Sequence, residues 1–408
     1  MLVNTGTEPL RSASGSVSVL GERHNDLIAR ARKVAQIAQE NAAAVDAEGR
    51  FPREAFAEIR KQRLLGSMVP QALDGEGASL AEIVDVCYIL GQACASTGLI
   101  YAMHQVKMGC ILRHIKGSPT LERILRRIAT EQLLMASSTT EGQAGGNVRS
   151  SEAAIELNGD QVTLERKATV ISYAVDADGI VTTARRSSSA ASSDQVLLVL
   201  LKPDYTLERL QVWDSLGMRG TSSEGFTLRV KATADHVMAE PYEKIHAQTM
   251  VPYAHLLWGS VWVGIAAAAT GKAQTFIRHA MRHSNGQPPP AAAHFTQATS
   301  SLRTLRGVLS SALRSYEAAN QDEKAMASLE FQSMITMTKV QVSDLAVTTV
   351  MSAMRACGLS GYRNDSEFSI GRHLRDVLSA PIMISNDRIL ANLATTTLMT
   401  PLPSSIGG

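Results

Sequence analysis

The sequence is poor in cysteine, in aromatic residues and in any excess of charge. Its 408 residues include four cysteines, and aromatic side chains make up 4% of the chain. Cys87, Cys94, Cys110 and Cys357 show no CxxC pair and no metal-ligand spacing, which indicates free thiols in a reducing cytoplasm and no metal site. The formal net charge is +2, with lysine and arginine scattered, which argues against a dedicated nucleic-acid surface.

Long apolar runs are also scarce. The first residues, MLVNTGTEPLRSASGS, lack the apolar core of a signal peptide and predict a disordered leader over residues 1–19. The most apolar stretch, residues 256–269, contains glycine and serine and is shorter than a membrane span. It therefore predicts a buried core helix and no membrane span. We expect a globular protein, since 45% apolar residues in a chain of this length suffice for two or three structural units. The free cysteines and the missing signal peptide lead us to expect it in the cytoplasm.

Helical and strand patterns are segregated along the chain. Residues 20–132 predict a helical domain, and residues 133–240 predict strands, with a hairpin where Asn158-Gly159 separates two alternating runs. This segregation predicts an α+β fold and excludes most alternating α/β folds. Residues 241–400 predict four long helices, at about 250–283, 297–318, 322–356 and 380–396.

A cluster of small residues lies where the helical pattern gives way to strands. Residues 137–140 are four hydroxyl residues in succession, and Gly142, Gly145 and Gly146 follow. Such a segment lets backbone N–H groups and hydroxyls approach a flat polar ligand. A solvated loop has the same composition, so composition alone leaves both interpretations open.

The layout and four local strings resemble the acyl-CoA dehydrogenase family over about residues 20–393. The resemblance implies an N-terminal all-α domain, a central antiparallel β domain and a C-terminal four-helix bundle. It also implies a homo-oligomer, a dimer or tetramer, that binds FAD between the β domain and the bundle. The first string begins the helix at Gly117-Ser118, and the second is TEGQAGGN at 140–147, which resembles TEPGAGSD of the family. The third is LGMRGT at 216–221, which resembles MGxRGS. The fourth is RACGLSGY at 355–362, followed by Arg375-Asp376, which resemble QxFGGxGY and RDA.

The same resemblance implies which residues would hold FAD. Those of the β domain would contact the flavin ring and the pyrophosphate, and they are Thr139, Thr140, Gly145, Gly146, Val170 and Ser172. Those of the bundle would contact the rest of the cofactor, including that of a neighbouring subunit, and they are Arg282, Gly358, Gly361 and Asn386.

The position of the catalytic base departs from the family. Dehydrogenation beside a thioester carbonyl needs a base that removes the α-proton, and the family supplies a glutamate nine residues after the arginine of RDA. That position is Ile384 here, and Ala254 occupies the place that some members use instead. Neither side chain accepts a proton. We expect His255, which directly follows Ala254, or Asp387, three residues after Ile384, to serve as the base, because both can accept a proton. Glu141, Tyr101 and His104 are further candidates.

The resemblance implies an FAD-dependent dehydrogenase that introduces an α,β double bond into an acyl-CoA or acyl-carrier-protein substrate and passes electrons to a partner protein. Two alternatives remain open. A flavin monooxygenase of the same fold receives reduced flavin from a reductase and needs a dry pocket with a hydroxyl or histidine near the flavin, which Ser172, His104 and His255 would supply. A flavin-binding protein without catalysis would also fit the missing glutamate.

Overall fold

The computed structural model describes residues 14–141 and 148–399 of the chain. Helix α1 begins inside the segment for which the sequence predicts a disordered leader, and residues 1–13 lie outside the described part. A capping box fixes the start of α3, since the Ser79 hydroxyl accepts from the Glu82 N–H and the Glu82 carboxylate accepts from the Ser79 N–H. The helices of the N-terminal domain are α1 (Ser14–Glu48), α2 (Arg53–Lys61), α3 (Leu80–Ala93), α4 (Ala95–His114) and α5 (Pro119–Glu131).

The β domain consists of two sheets. One has the order β1-β4-β5 and the other has the order β2-β3-β7-β6. The predicted hairpin is confirmed, because β2 and β3 pair through Asn158 and Gln161 with Gly159 at a φ of 61° in the turn. The strands are β1 (Met135–Ser138), β2 (Glu156–Asn158), β3 (Gln161–Ile171), β4 (Gly179–Arg185), β5 (Gln195–Leu201), β6 (Tyr205–Gln211) and β7 (Glu224–Thr233).

One strand pair departs from the antiparallel arrangement that the family resemblance implies. Strands β1 and β4 pair in parallel, with Met135 opposite Gly179, whereas the other pairs of named strands run antiparallel. A parallel pair needs a long connection, and here the chain passes through β2 and β3 of the other sheet between the two strands. The α+β fold class itself is confirmed, since helical domains precede and follow the strands.

The C-terminal domain is helical, as the sequence predicts. Helix α10 begins later than expected because the Ser328 hydroxyl accepts from the Phe331 N–H and caps it there, which separates a short helix, α9. The elements are α6 (Tyr242–Ile245), a π-helical turn (His246–Met250), α7 (Val251–Arg282), α8 (Ala292–Ala319), α9 (Glu323–Ala327), α10 (Leu329–Tyr362), α11 (Gly371–Val377), α12 (Ser379–Ile382) and α13 (Asn386–Met399).

The continuous helix predicted at about 380–396 is wrong, because the chain breaks between α12 and α13. Met383 is extended, and Ile384 has a φ of 53°, which is rare for a β-branched residue. The buried Lys339 of α10 stabilises the break, since its Nζ donates to Ile384 O at 2.7 Å and to Asn386 Oδ1 at 2.6 Å.

Two of the strings that carry the family resemblance meet at a junction of all three domains. The Met218 N–H, in the loop after β6, donates to Asp376 Oδ1 of α11 at 2.7 Å. Arg375 forms an ion pair with Asp46 of α1 and donates to Leu216 O at 2.9 Å. Burial raises the pKa of Asp376 to about 6. Strings 216–221 and 375–376 therefore hold the domains together.

Helix α7 is the core of the molecule. Within the described residues it is part of one segment, Tyr242–Arg282, that is long and apolar enough to span a membrane, yet 78% of its most apolar window is buried inside the structure. It packs against α3 almost backbone to backbone: a Cβ on Gly264 would lie 2.5 Å from Tyr88 O, and a Cβ on Gly91 would lie 2.6 Å from Val261 O. Small residues at these positions are therefore required by the packing.

We expect Gly264→Ala to lower the free energy of unfolding by about 1–3 kcal/mol, because the new methyl group meets backbone atoms that cannot rotate away. Gly271→Ala on the same helix is the matched control, since nothing lies within 4 Å of its Cβ position. That control should be neutral or stabilising by up to ~1 kcal/mol through helix propensity. Urea denaturation followed by circular dichroism measures both, and equal stability of the two variants would contradict the close packing of α3 on α7.

Candidate active site

A cavity of about 60 Å³ lies where α4, β1, the N-terminal part of α7 and the break after α12 meet. Ala254 and Ile384, the two positions that the sequence resemblance assigns to the family's glutamate, both line it. Positions 130 residues apart in the sequence thus converge on one site. The lining is mostly apolar and consists of Met103, Val106, Lys107, Ser137, Thr139, Val148, His246, Met250, Val251, Ala254, His255, Trp258 and Ile384.

Hydroxyl groups from β1 and the residue that follows it form one wall of the cavity. Ser137 lies in β1 and Thr139 directly follows the strand, and both line the cavity. Neither hydroxyl has a hydrogen-bond partner among the described residues. The adjacent Thr140 is half-buried and does not line the cavity. Gly145 and Gly146, which follow in the predicted glycine turn, lie outside the described residues.

The ionisable groups of the described lining are three nitrogen bases, Lys107, His246 and His255, without a carboxylate. His255 lies 3.0 Å by its Nδ1 from Ile335 O. A carbonyl oxygen can only accept, so Nδ1 carries the proton and the lone pair is on Nε2. Burial lowers the pKa of His255 to about 4 and the pKa of His246 to about 3, so both rings are neutral at pH 7.

Asp387 is not brought to the cavity. It lies in the first turn of α13 and is exposed, because the break at Ile384 turns Asn386 inward and the next residue outward. Asn386 is buried and fully engaged: its Oδ1 accepts from Lys339, and its Nδ2 donates to Ser343 Oγ at 2.9 Å and to Asp344 Oδ1 at 2.8 Å. Of the two predicted bases, His255 alone reaches the site.

The other predicted contacts from the β domain lie at the end of β3. Val170 is half-buried within an irregularity of the β3–β7 pairing. The Ser172 hydroxyl lies 2.8 Å from that of Ser223, which in turn lies 2.7 Å from that of Thr221. These residues therefore form a connected set of hydroxyl groups, and they do not line the cavity.

The predicted contacts from the bundle lie away from the cavity lining. Arg282 is exposed in the last turn of α7. Gly358 interrupts α10 with a φ of 55°, and a Cβ on Gly361 would lie 2.7 Å from Cys357 Cβ. The roles of these three residues in cofactor binding stay predictions.

His104 and Glu141 have structural roles. The Met135 N–H donates to His104 Nδ1 at 3.0 Å, so Nε2 carries the proton and donates to Leu65 O at 2.8 Å. Both ring nitrogens are thus occupied. The Glu141 carboxylate lies 3.4 Å from the buried Arg166 and accepts from the Glu152 N–H at 2.6 Å. Neither residue is available for chemistry at the cavity.

The polar lining residues that the sequence interpretation missed are Lys107, His246 and Trp258. Lys107 could have been found in the sequence as the single charged residue of α4 between Ala95 and Arg113. His246 lies in the π-helical turn, which local sequence patterns do not predict. The indole Nε1 of Trp258 is buried without a hydrogen-bond partner among the described residues.

The family comparison agrees with the fold. Residues 21–132 match the model of the acyl-CoA dehydrogenase N-terminal domain, and residues 256–386 match that of the acyl-CoA dehydrogenase C-terminal domain. Together the two matches cover more than half of the chain.

Relatives with different names share this fold. The probable acyl-CoA dehydrogenase YngJ of Bacillus subtilis strain 168 is 24% identical over 81% of this chain and 86% of its own length. The amino sugar nitrososynthase DnmZ of Streptomyces peucetius is 26% identical over 83% of this chain and 84% of its own length.

A solved structure with the same fold is that of TdsC from Paenibacillus sp. A11-2 in its FMN-bound form. It has a TM-score of 0.81 and 16% identity, and the match covers 93% of this chain and 98% of that chain. A second structure of TdsC describes it as dibenzothiophene monooxygenase. From the two domain matches, which agree with the observed domain order, we conclude that the chain belongs to the acyl-CoA dehydrogenase family.

Proposed function

We propose that the chain is a flavin-dependent monooxygenase built on the acyl-CoA dehydrogenase fold. One observation carries the proposal: the cavity at the family's base positions contains Ile384 and Ala254, and its described lining has three nitrogen bases and no carboxylate. Removal of an α-proton needs a base at the α-carbon. Transfer of oxygen needs an enclosed, water-poor site with a proton donor instead.

The polar groups of the cavity fit one edge of a flavin ring. At about 60 Å³ the cavity is too small to enclose three fused rings, so a flavin would lie at its opening, with the hydroxyls of Ser137 and Thr139 and the orphaned Trp258 N–H towards its polar edge. A bound reduced flavin would supply the activation of dioxygen, with a separate flavin reductase as its source. The family resemblance implies FAD, whereas TdsC holds FMN, and the two cofactors share this ring.

The chain's own groups would control water and protons. Met103, Val106 and Val251 exclude water from the cavity. Burial lowers the pKa of Lys107 to about 8, so its ammonium can release a proton near neutral pH, and the neutral His255 can accept one at Nε2. These properties suit the proton transfers that accompany oxygen insertion.

The second candidate is the acyl-CoA dehydrogenase that the sequence favours. His255 supports it, because this residue directly follows the alternative base position Ala254 and lines the same cavity. The similarity to YngJ also supports it. In that case His255 Nε2 would remove the α-proton, although a pKa of about 4 makes it a weak base.

An anaerobic titration of the flavin-loaded protein with acyl-CoAs of several chain lengths separates the two candidates. We expect no bleaching of the flavin absorbance, because the described cavity has no carboxylate base. If the protein is a dehydrogenase, the wild type will bleach, His255→Ala will not bleach, and the exposed Asp387→Ala will bleach at the wild-type rate. Bleaching by the wild type would overturn the monooxygenase proposal, and equal bleaching by all three proteins would exclude His255 as the base.

The assignment of the flavin to the hydroxyl wall of the cavity is tested by Thr139→Val, which keeps the shape of the side chain and removes the hydroxyl. Flavin binding should weaken about tenfold, which corresponds to ~1.4 kcal/mol for one lost hydrogen bond. Quenching of flavin fluorescence by FMN and by FAD gives the dissociation constants and identifies the preferred cofactor. Thr206→Val on the exposed face of β6 is the control and should bind like the wild type. Unchanged binding by Thr139→Val would place the ring elsewhere.

A further inference from the structure

Lys107 is a buried ammonium group without an acidic partner. It is 3% exposed and lines the cavity. Among the described residues its one hydrogen-bond contact is the Met250 thioether, whose Sδ lies 3.7 Å from Nζ. A thioether is a weak acceptor and carries no charge. The three N–H donors of the ammonium are therefore almost unused within the described structure.

The groups that face Lys107 do not supply a negative charge. Burial raises the pKa of Cys110, one turn along the same helix, to about 11, so its thiol is protonated. His246 of the π-helical turn and His255 of α7 are neutral. The Tyr242 hydroxyl donates to Met250 Sδ at 3.1 Å and so shares the same weak acceptor.

Other buried cations of this chain have strong partners. Arg166, which is 1% exposed, lies 3.4 Å from the Glu141 carboxylate. Lys339 donates to a carbonyl and to an amide oxygen at 2.7 and 2.6 Å. Burial of a cation is costly unless it is paired, and the fold provides partners where the cation is structural. The unpartnered Lys107 faces a cavity instead, which is the arrangement of a ligand-binding group.

We propose that Lys107 selects the substrate by binding a negatively charged oxygen of a compact organic anion, with the apolar body of the anion in the cavity. The inference rests on the proposed function and names its substrate class. The walls of Met103, Val106 and Trp258 suit an apolar body, and the single positive charge suits one carboxylate or phenolate. A cationic substrate would be repelled, and a neutral one would leave the ammonium uncompensated.

Binding of matched probes to the purified full-length protein tests the proposal. Benzoate, benzamide and benzamidine have nearly the same shape and carry charges of −1, 0 and +1, and propionate with propionamide forms a smaller pair. Isothermal titration calorimetry, with and without flavin, measures their affinities. We expect the carboxylate to bind at least about tenfold more tightly than its amide in one or both series, and benzamidine to bind most weakly.

Two substitutions locate the source of this preference. Lys107→Met should bring the carboxylate and its amide to within about twofold of each other. Lys272→Met is the control, because that half-buried lysine donates to Ser369 O and does not line the cavity, so it should keep the preference. The absence of a preference in both series, or a preference that survives Lys107→Met, would overturn the proposal.

The stability of Lys107→Met provides a readout that does not depend on a ligand. The folded-state pKa of about 8 lies below the ordinary 10.5, so below pH 8 the wild type holds a desolvated ammonium that the variant lacks. The variant should therefore melt at a higher temperature at pH 7, and its advantage should shrink as the pH rises from 8 towards 10.5. A variant that is destabilised at pH 7 would indicate a structural role and contradict the inference.

The test of the anion site can fail or succeed independently of the test of the proposed monooxygenase function. Carboxylate binding is measured without flavin and without turnover. A preference that depends on Lys107 in a protein that bleaches with acyl-CoA would retain the anion site and reject the monooxygenase. A protein that passes the flavin tests and shows no preference would reject the anion site alone.

Discussion

The close contact between the backbones of α3 and α7 is the constraint on which the architecture depends. Gly91 and Gly264 allow the two helices to approach until a single Cβ would collide with a carbonyl oxygen. This contact fixes α7 against the N-terminal domain while α7 also packs on α8 and α10 of the bundle. The N-terminal part of α7 is thereby held opposite α4 and β1, and the cavity forms between them. The junction of Asp46, Arg375 and Asp376 adds the loop after β6 to the same frame.

Much of the fold could be predicted from the sequence, because it depends on signals carried by residues that are close together in the chain. Neighbouring residues determine the helix caps, the Asn158-Gly159 hairpin and the order of helices and strands. The family could be inferred from four short sequence strings that occur in the family's order. The break at Ile384 could not be predicted in this way. Nothing near this β-branched residue signals a positive φ; the break depends on Lys339, which is 45 positions away. The same break explains why Asp387 lies outside the cavity, whereas His255 reaches it from α7. The oligomer, the cytoplasmic location and the roles of Arg282, Gly358 and Gly361 stay predictions.

The charge of the cavity is the link between the fold and the proposed chemistry. The two positions that the sequence resemblance assigns to the family's glutamate meet here, and both are aliphatic. The histidines are neutral because burial penalises their charged forms, and Lys107 contributes the one ammonium of the described lining. In the proposed function such a site would bind an anion and donate protons more readily than it would remove one from carbon. Relatives named as a nitrososynthase and a monooxygenase show that the fold occurs in proteins with names other than dehydrogenase.

In the proposed monooxygenase, a reduced flavin bound at this cavity would react with dioxygen. Stopped-flow mixing of the anaerobically reduced, flavin-loaded protein with oxygenated buffer tests it most directly, with flavin absorbance and hydrogen peroxide followed in the same run. We predict that the absorbance of the reduced flavin is lost before peroxide appears, because the mostly apolar lining of the cavity keeps water from the oxygen that has reacted. Peroxide that appears in step with the absorbance change, as with free flavin, would contradict the claim.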